Sequence, residues 1–285
     1  MTFQSMPTIR KATAEDFEYI YPLFSGFQEP RPSRAEFRKL FMSRWGSDEP
    51  YVGFILEDNN EPVGYLGTLF SQREINGRNE KFCNLCTWII KEEYRSEGLP
   101  LLFQVLRMKE VTVTNFTGNR VASILGKFDF KVLDKRLKIL FPIPSIGNGC
   151  ELIFDYSRIP PLLDAHDQRV FEDHREFNYS FVLLKAKDEV SLICFKKVNR
   201  KRLPLLEVHY LSRQEVFLKH IQHVLTSLCI RTRTVGLLLG EHFLAEMSLP
   251  FSITIPQRQM RLFRSKTVTA EEMDTMYSEL QLLNL

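Results

Sequence analysis

The chain has 285 residues, 44% hydrophobic and 26% charged, with a formal net charge of +3. That length exceeds one average domain and suits two, each able to bury its own core, and the composition is that of an ordered protein. The net charge is too small to argue for a nucleic-acid partner. The longest apolar runs, such as Val235–Leu239, are strand-length, and the N-terminus lacks a charged-then-apolar leader, so no membrane partner is expected and the location is read as cytoplasmic.

In chain order, a strand over residues 8–11 runs into Thr13-Ala14-Glu15-Asp16, a capping-box start for a helix carrying Phe17, Ile20, Tyr21, Phe24 and Phe27 on one face. Ser33 and Glu36 repeat the device, and Phe37, Leu40, Phe41 and Trp45 stripe a second helix that Gly46 ends. Strands follow at 51–57, 62–72 and 82–91, joined by Asp58-Asn59-Asn60 and by the hairpin dipeptide Asn76-Gly77, which predicts an antiparallel meander. A turn at Arg95–Gly98 opens a helix over 98–108, and a strand at 111–116 must return parallel to the one before it. Gly118 precedes a further helix, residues 131–141 form one or two strands, and Pro142–Gly149 reads as a linker.

The domains are therefore placed at 1–145 and 146–285. The second half repeats the order: a helix at 162–174, strands at 177–186, 190–198 and 205–211, and a helix opened by Ser212 and Glu215. A strand at 235–239, a strand pair near 253–263 and a capped helix over 269–280 close the chain. The five cysteines are odd in number and scattered through apolar segments, as reduced core thiols are. Cys83 and Cys86 have C-x-x-C spacing, but an offset of three in a strand sends them to opposite faces, and no metal site is expected.

An apolar strand that ends in a charged turn, with an Arg three residues before a Gly and an amphipathic helix beginning at once, makes a seat for a phosphate-bearing cofactor. The first N–H groups of a helix lack internal partners and carry partial positive charge. With the element order over residues 8–141, the run Arg95-Ser96-Glu97-Gly98-Leu99-Pro100 resembles the cofactor loop Q/R-x-x-G-x-G/A of the GCN5-related N-acetyltransferase (GNAT) superfamily, matching four places and departing at Pro100. Asn119 followed by Ala122 resembles the family's Asn-x-x-Ala. The resemblance covers about half the chain at motif level.

The resemblance implies an α/β (α+β) fold of two GNAT-like domains. Each would be a mixed, mostly antiparallel sheet with helices on both faces and a splayed parallel strand pair, the second copy being degenerate and lacking the pyrophosphate loop. It implies that residues Ile89, Ile90, Arg95, Ser96, Glu97, Gly98, Leu99, Pro100, Asn119 and Ala122 bind acetyl-CoA or another acyl-CoA as co-substrate. The acyl group would pass to a primary amine on a small molecule or peptide. Pro100 removes one N–H from the cradle but suits a first helical turn.

The family's usual acid and base are absent here. The carboxylate position falls on or near Asn84, which is no base, and Gly126 stands where the proton-donating Tyr would be. Cys86 and Trp88 share the Asn84 face by strand periodicity, and Cys86 is a candidate proton donor against a plainer reading as a core residue. The backbone N–H of Ile90 is the expected oxyanion donor beside a strand bulge, and Glu57 is a weaker candidate acting through water. Glu207 and His209 share a face in the second half and are candidates for touching an acceptor. A coenzyme A-binding sensor that has lost catalysis, or an interaction module that keeps only the fold, stays open, and a homodimer is compatible with the sequence.

Overall fold

This computed structural model describes residues 6–27, 31–42, 45–144, 149–244 and 250–283. The chain divides by compactness into two units, Met1–Phe116 with Phe263–Val268 and Tyr277–Leu285, and Thr117–Leu262 with Thr269–Met276. The division precedes the Pro142–Gly149 segment, because residues 117–140 belong to the second unit; residues 145–148 lie outside the described residues.

The first unit holds strands β1 (Thr8–Ala12), β2 (Gly53–Asp58), β3 (Glu61–Ile75), β4 (Arg78–Ile90) and β5 (Val111–Thr117), side by side in that order. Each neighbouring pair is antiparallel until β4 and β5, which run parallel. The long β3–β4 hairpin closes at Asn76-Gly77, both at positive φ, as a two-residue hairpin turn requires.

The first expected helix is broken into a 3-10 turn at Ala14–Asp16, α1 (Phe17–Ile20) and a 3-10 stretch at Tyr21–Gly26, in whose first turn Pro22 removes a helical donor. With α2 (Arg34–Met42) it buries Phe17, Phe24, Phe37 and Phe41 against Tyr65 of β3, with Phe24 and Phe37 centred 4.5 Å apart and Phe41 stacked on Tyr65 at 5.6 Å. Tyr65 can be fully buried because its hydroxyl donates to the Val52 carbonyl at 2.9 Å. Packed on β2 and β3, α3 (Leu99–Leu106) buries Leu101, Leu102 and Val105.

The second unit comprises α4 (Asn119–Leu125), β6 (Lys131–Leu140), β7 (Glu151–Ile153), α5 (Ala165–His174), β8 (Ser180–Ala186), β9 (Glu189–Arg200), β10 (Leu203–Leu211), α6 (Gln214–Lys219), α7 (Ile221–Thr232), β11 (Leu237–Gly240) and most of β12 (Ser252–Arg264). Its strands lie in the order β12-β6-β11-β10-β9-β8-β7, and β10 and β11 form its parallel pair. The run β7-β8-β9-β10-β11 repeats the pairing senses of β1 to β5. Val216, Phe217, Val224, Leu225 and Leu228 of α6 and α7 pack on this sheet in one apolar core.

Further local readings differ from the structure. Residues 253–263 form one strand, the helix opened by Ser212 is split at His220, and β7 carries no period long enough to be legible. The expected helix over 269–280 is a lone turn over 270–273 followed by α8 (Glu279–Leu282). Thr269 and Glu272 do form the capping contact, but Tyr277 adopts φ +60°, which no helix propagates through. Residues 277–283 belong to the first unit, where α8 packs beside α2.

Candidate active site

The parallel ladder between β4 and β5 runs from Lys81↔Val111 to Leu85↔Asn115 and stops. Its last rung is capped by a side chain: Asn115 Nδ2 donates to the Leu85 carbonyl at 3.0 Å, while Asn115 Oδ1 is buried without a partner. Beyond that rung β4 continues through Cys86 to Ile90. Gly67 pairs with Cys86 and Tyr65 with Ile89, so β4 carries an extra residue between them, and Thr87 takes φ +45° in this bulge.

Lys91 N–H bonds to the Val63 carbonyl at 2.8 Å, which makes Gly64↔Ile90 a pair that exchanges no hydrogen bonds. The N–H of Ile90 therefore points away from β3, to the side where the β5 ladder has ended. A backbone donor aimed into an opening between parallel strands is what an oxyanion needs.

Immediately after β4, residues Glu92–Gly98 wind as a 3-10 turn and hand over to α3, with Pro100 in its first turn. Gly98 is pressed against β4: a Cβ there would lie 2.5 Å from Ile90 Cδ1, so any larger residue makes the end of the Ile90 side chain turn aside. Tyr94 fixes the turn from the other end by donating to Asp58 Oδ2 at 2.6 Å. Arg95, Ser96 and Glu97 are exposed; Arg95 pairs with Glu92 at 3.1 Å, and Ser96 donates to Glu97 at 3.3 Å. For an anion, the turn offers the first free N–H groups of α3, less the one that Pro100 lacks, within a frame that Glu92, Glu93 and Glu97 make acidic.

Of the expected side chains on β4, Asn84 is buried with both ends of its amide engaged. Nδ2 donates to Thr114 Oγ1 of β5 at 3.0 Å, and Oδ1 accepts from the backbone N–H of Glu279 at 3.4 Å. It is a brace between β4, β5 and the C-terminal segment, not a proton acceptor. Cys86 is unsuited to donating a proton, because burial first and the Glu279 carboxyl second push its thiol well above the ordinary range. Trp88 does not share the Asn84 face by simple alternation, since the bulge intervenes. Glu57 is held by Arg10 of β1 at 2.8 Å, which commits its charge to an ion pair.

The residue that the sequence reading missed is Glu279 itself. Its side chain is buried beside the rung before the last, where its backbone N–H meets Asn84; Oε2 has no hydrogen-bond partner among the described residues, and burial raises its carboxyl to about 8 against the opposing pull of its own backbone N–H.

No protein-family model and no curated protein matches the chain. Solved structures do. A GCN5-related N-acetyltransferase from Anabaena variabilis aligns over 91% of this chain and 72% of its own at 11% identity, with a TM-score of 0.58. A putative acetyltransferase from Pyrococcus horikoshii aligns over 96% and 93% at 17% identity, TM-score 0.54. An Enterococcus faecalis protein described as a probable N-acyltransferase aligns over 92% and 73% at 9% identity, TM-score 0.60. The chain has the GNAT fold. Within that fold the bulged β4, the splay after Leu85 and the glycine turn into α3 all lie in the first unit.

Asn119 and Ala122 belong to the second unit, Asn119 exposed as the first residue of α4 and Ala122 buried; Gly126 caps that helix. The second unit of this GNAT-fold chain also has a bulge in the strand that leads its parallel pair, at His209 of β10. No glycine turn follows it; Arg213 stands before α6 instead. Glu207 is ion-paired to Arg261 at 3.1 Å and to Arg200 at 3.4 Å, so that despite burial its carboxyl is held below its ordinary value by His209, Arg261 and Arg200. Burial lowers the His209 imidazole to about 4 against the opposing pull of Glu207. Among the described residues no helix is long and apolar enough to cross a membrane, and no cluster could hold a metal ion.

Proposed function

We propose that the chain transfers an acyl group, acetyl in the first instance, from a coenzyme A thioester to a primary amine, and that its second unit is a divergent, non-catalytic copy of the first. The observation that carries this reading is the Ile90 N–H, turned by the β4 register into the side left open beyond Leu85. A thioester carbonyl seated there would have its developing negative charge met by a fixed donor, and the Gly98 turn would place the helix N-terminus next to that donor for the pyrophosphate. Positioning of amine and thioester accounts for much of the rate such a site needs. The engagement of Arg95 by Glu92 and the lost donor at Pro100 favour weak cofactor binding, and they are what a non-catalytic coenzyme A sensor would also carry.

Calorimetric titration with acetyl-CoA tests the binding, with one site per chain expected and with loss of binding in Gly98→Trp, whose side chain has no room beside Ile90. Single-turnover transfer of labelled acetyl to a panel of amines then separates enzyme from sensor. Binding without transfer to any amine leaves the sensor, and no binding of any acyl-CoA leaves a fold without the ligand.

A further inference from the structure

An amine that attacks a thioester must lose a proton and the departing sulfur must gain one, so the opening beyond Leu85 needs a group that does both. The side chains that β4 and β5 bring to that level are Asn84, Cys86, Thr87, Thr114 and Asn115; the amides and hydroxyls have no useful basicity and Cys86 is held as a thiol. One further group reaches it from outside the sheet. Tyr277 takes positive φ, turning the C-terminal segment at the start of α8, and Ser278 closes a capping box with Gln281 through bonds of 2.7 Å. This fixes Glu279 against the Asn84 amide.

We infer that Glu279 is the proton acceptor of this site, brought by the C-terminal segment against Asn84, one rung before the strands splay, with its Oε2 unpartnered. The inference rests on the acyl-transfer reading above. No cation answers that oxygen among the described residues. The titratable group facing it from β4 is the Cys86 thiol, and Arg73 of β3 lies on the neighbouring Tyr277 and Phe82 rings at 4.9 and 3.9 Å. A buried oxygen with neither salt bridge nor hydrogen bond gains nothing structurally from its negative charge, whereas a proton shuttle uses its vacancy.

In the step assigned to it, the amine, already relieved of one proton to solvent, attacks the thioester carbon. The C–N bond forms, and the remaining ammonium proton passes to the Glu279 carboxylate. The C–S bond breaks with its electron pair on sulfur, and the Glu279 carboxyl returns the proton there, giving amide and free thiol. One carboxyl whose proton affinity burial has brought to about 8 can serve in both directions near neutral pH.

The test compares wild type, Glu279→Gln and Glu279→Asp in the full chain, with acetyl-CoA and the amine that supports transfer. Acetyl-CoA affinity is expected to be unchanged in Glu279→Gln, while kcat/KM falls by about 100-fold or more and the wild-type limb of the pH profile near 8 disappears. Glu279→Asp should recover part of the rate and restore a limb. Wild-type rate and profile in Glu279→Gln, with acetyl-CoA still bound, would overturn the inference and leave the acyl-transfer reading standing; absence of acetyl-CoA binding to wild type would overturn both. Should Glu279→Gln fail to fold, carbon-13 NMR titration of the wild-type Glu279 carboxyl decides: a midpoint near 8 is expected, and one near 4.5 sinks the inference.

Discussion

Glu279 costs the fold more as the medium becomes alkaline. Its carboxyl titrates at about 8 in the folded chain against an ordinary value of 4.5. Below the ordinary value both folded and unfolded chains hold the proton and burial carries no charge penalty. Through the window between the two values the unfolded chain ionises first, so stability falls as pH rises, and above the folded value the loss is complete at roughly 5 kcal/mol. Urea denaturation of wild type and Glu279→Gln at pH 5 and pH 9 measures this directly. The variant is expected to be the more stable of the two at pH 9 and to lose that advantage at pH 5; a difference independent of pH would show that the carboxyl is already ionised in the folded state. None of this is visible in the sequence, where Glu279 is one acidic residue in an apparent capped helix. Its meeting with Asn84 joins positions 195 residues apart. Gly98 is the opposite case, since the same glycine that marks the turn in the sequence is the one held against Ile90.

At the scale of elements, the bulge in β4 is the feature on which the site depends, and it is permitted by its partner strand. A Cβ on Gly67 would lie 2.5 Å from Thr87 Oγ1, 2.8 Å from Cys86 Sγ and 3.1 Å from the Cys86 carbonyl oxygen, so a side chain on β3 crowds the bulge on β4 there. Gly67→Ala is expected to destabilise the chain by about 1–3 kcal/mol, as overpacking of a closed interior does, and to lower acyl transfer by more than the loss of folded protein explains. Thermal melts and kcat/KM normalised to folded fraction check the two parts; an unchanged rate per folded molecule would detach the bulge from catalysis. Strands and helices with a sustained period were legible, from β1 through the meander to the helix after Gly98, because alternation and helical stripes report which face is buried. The bulge itself is not legible, because it shifts the register by one residue without any compositional mark, and simple alternation therefore does not give the face of Trp88. The C-terminal segment was misread for a related reason: a capping pair at Thr269 and Glu272 signals one turn, and nothing local tells whether a second turn follows.

Across the whole molecule, two units share one succession of strand pairings, ending in a parallel pair whose leading strand is bulged, yet they treat buried charge in opposite ways. In the first unit the Glu279 carboxyl is buried with no counter-charge among the described residues. In the second, the carboxylates around the bulge are closed into an ion network. Arg261 bridges Glu207 at 3.1 Å and Asp134 at 3.6 Å, and Asp134 also accepts from the backbone of His242 at 3.1 Å and meets its ring at 2.6 Å. His242 and Arg261 hold the Asp134 carboxyl below its ordinary value although burial works the other way. A network whose charges are committed to one another has its largest effect when one member is removed. Arg261→Met leaves Glu207 to Arg200 alone and Asp134 to His242 alone, stranding part of the buried negative charge, and is expected to cost about 1–3 kcal/mol, read as a lower denaturation midpoint. Adding Glu207→Gln and Asp134→Asn to Arg261→Met removes the stranded charges and should recover most of that loss. If Arg261→Met alone costs less than 1 kcal/mol, Arg200 and His242 already satisfy the two carboxylates, and Arg261 is not what closes the network.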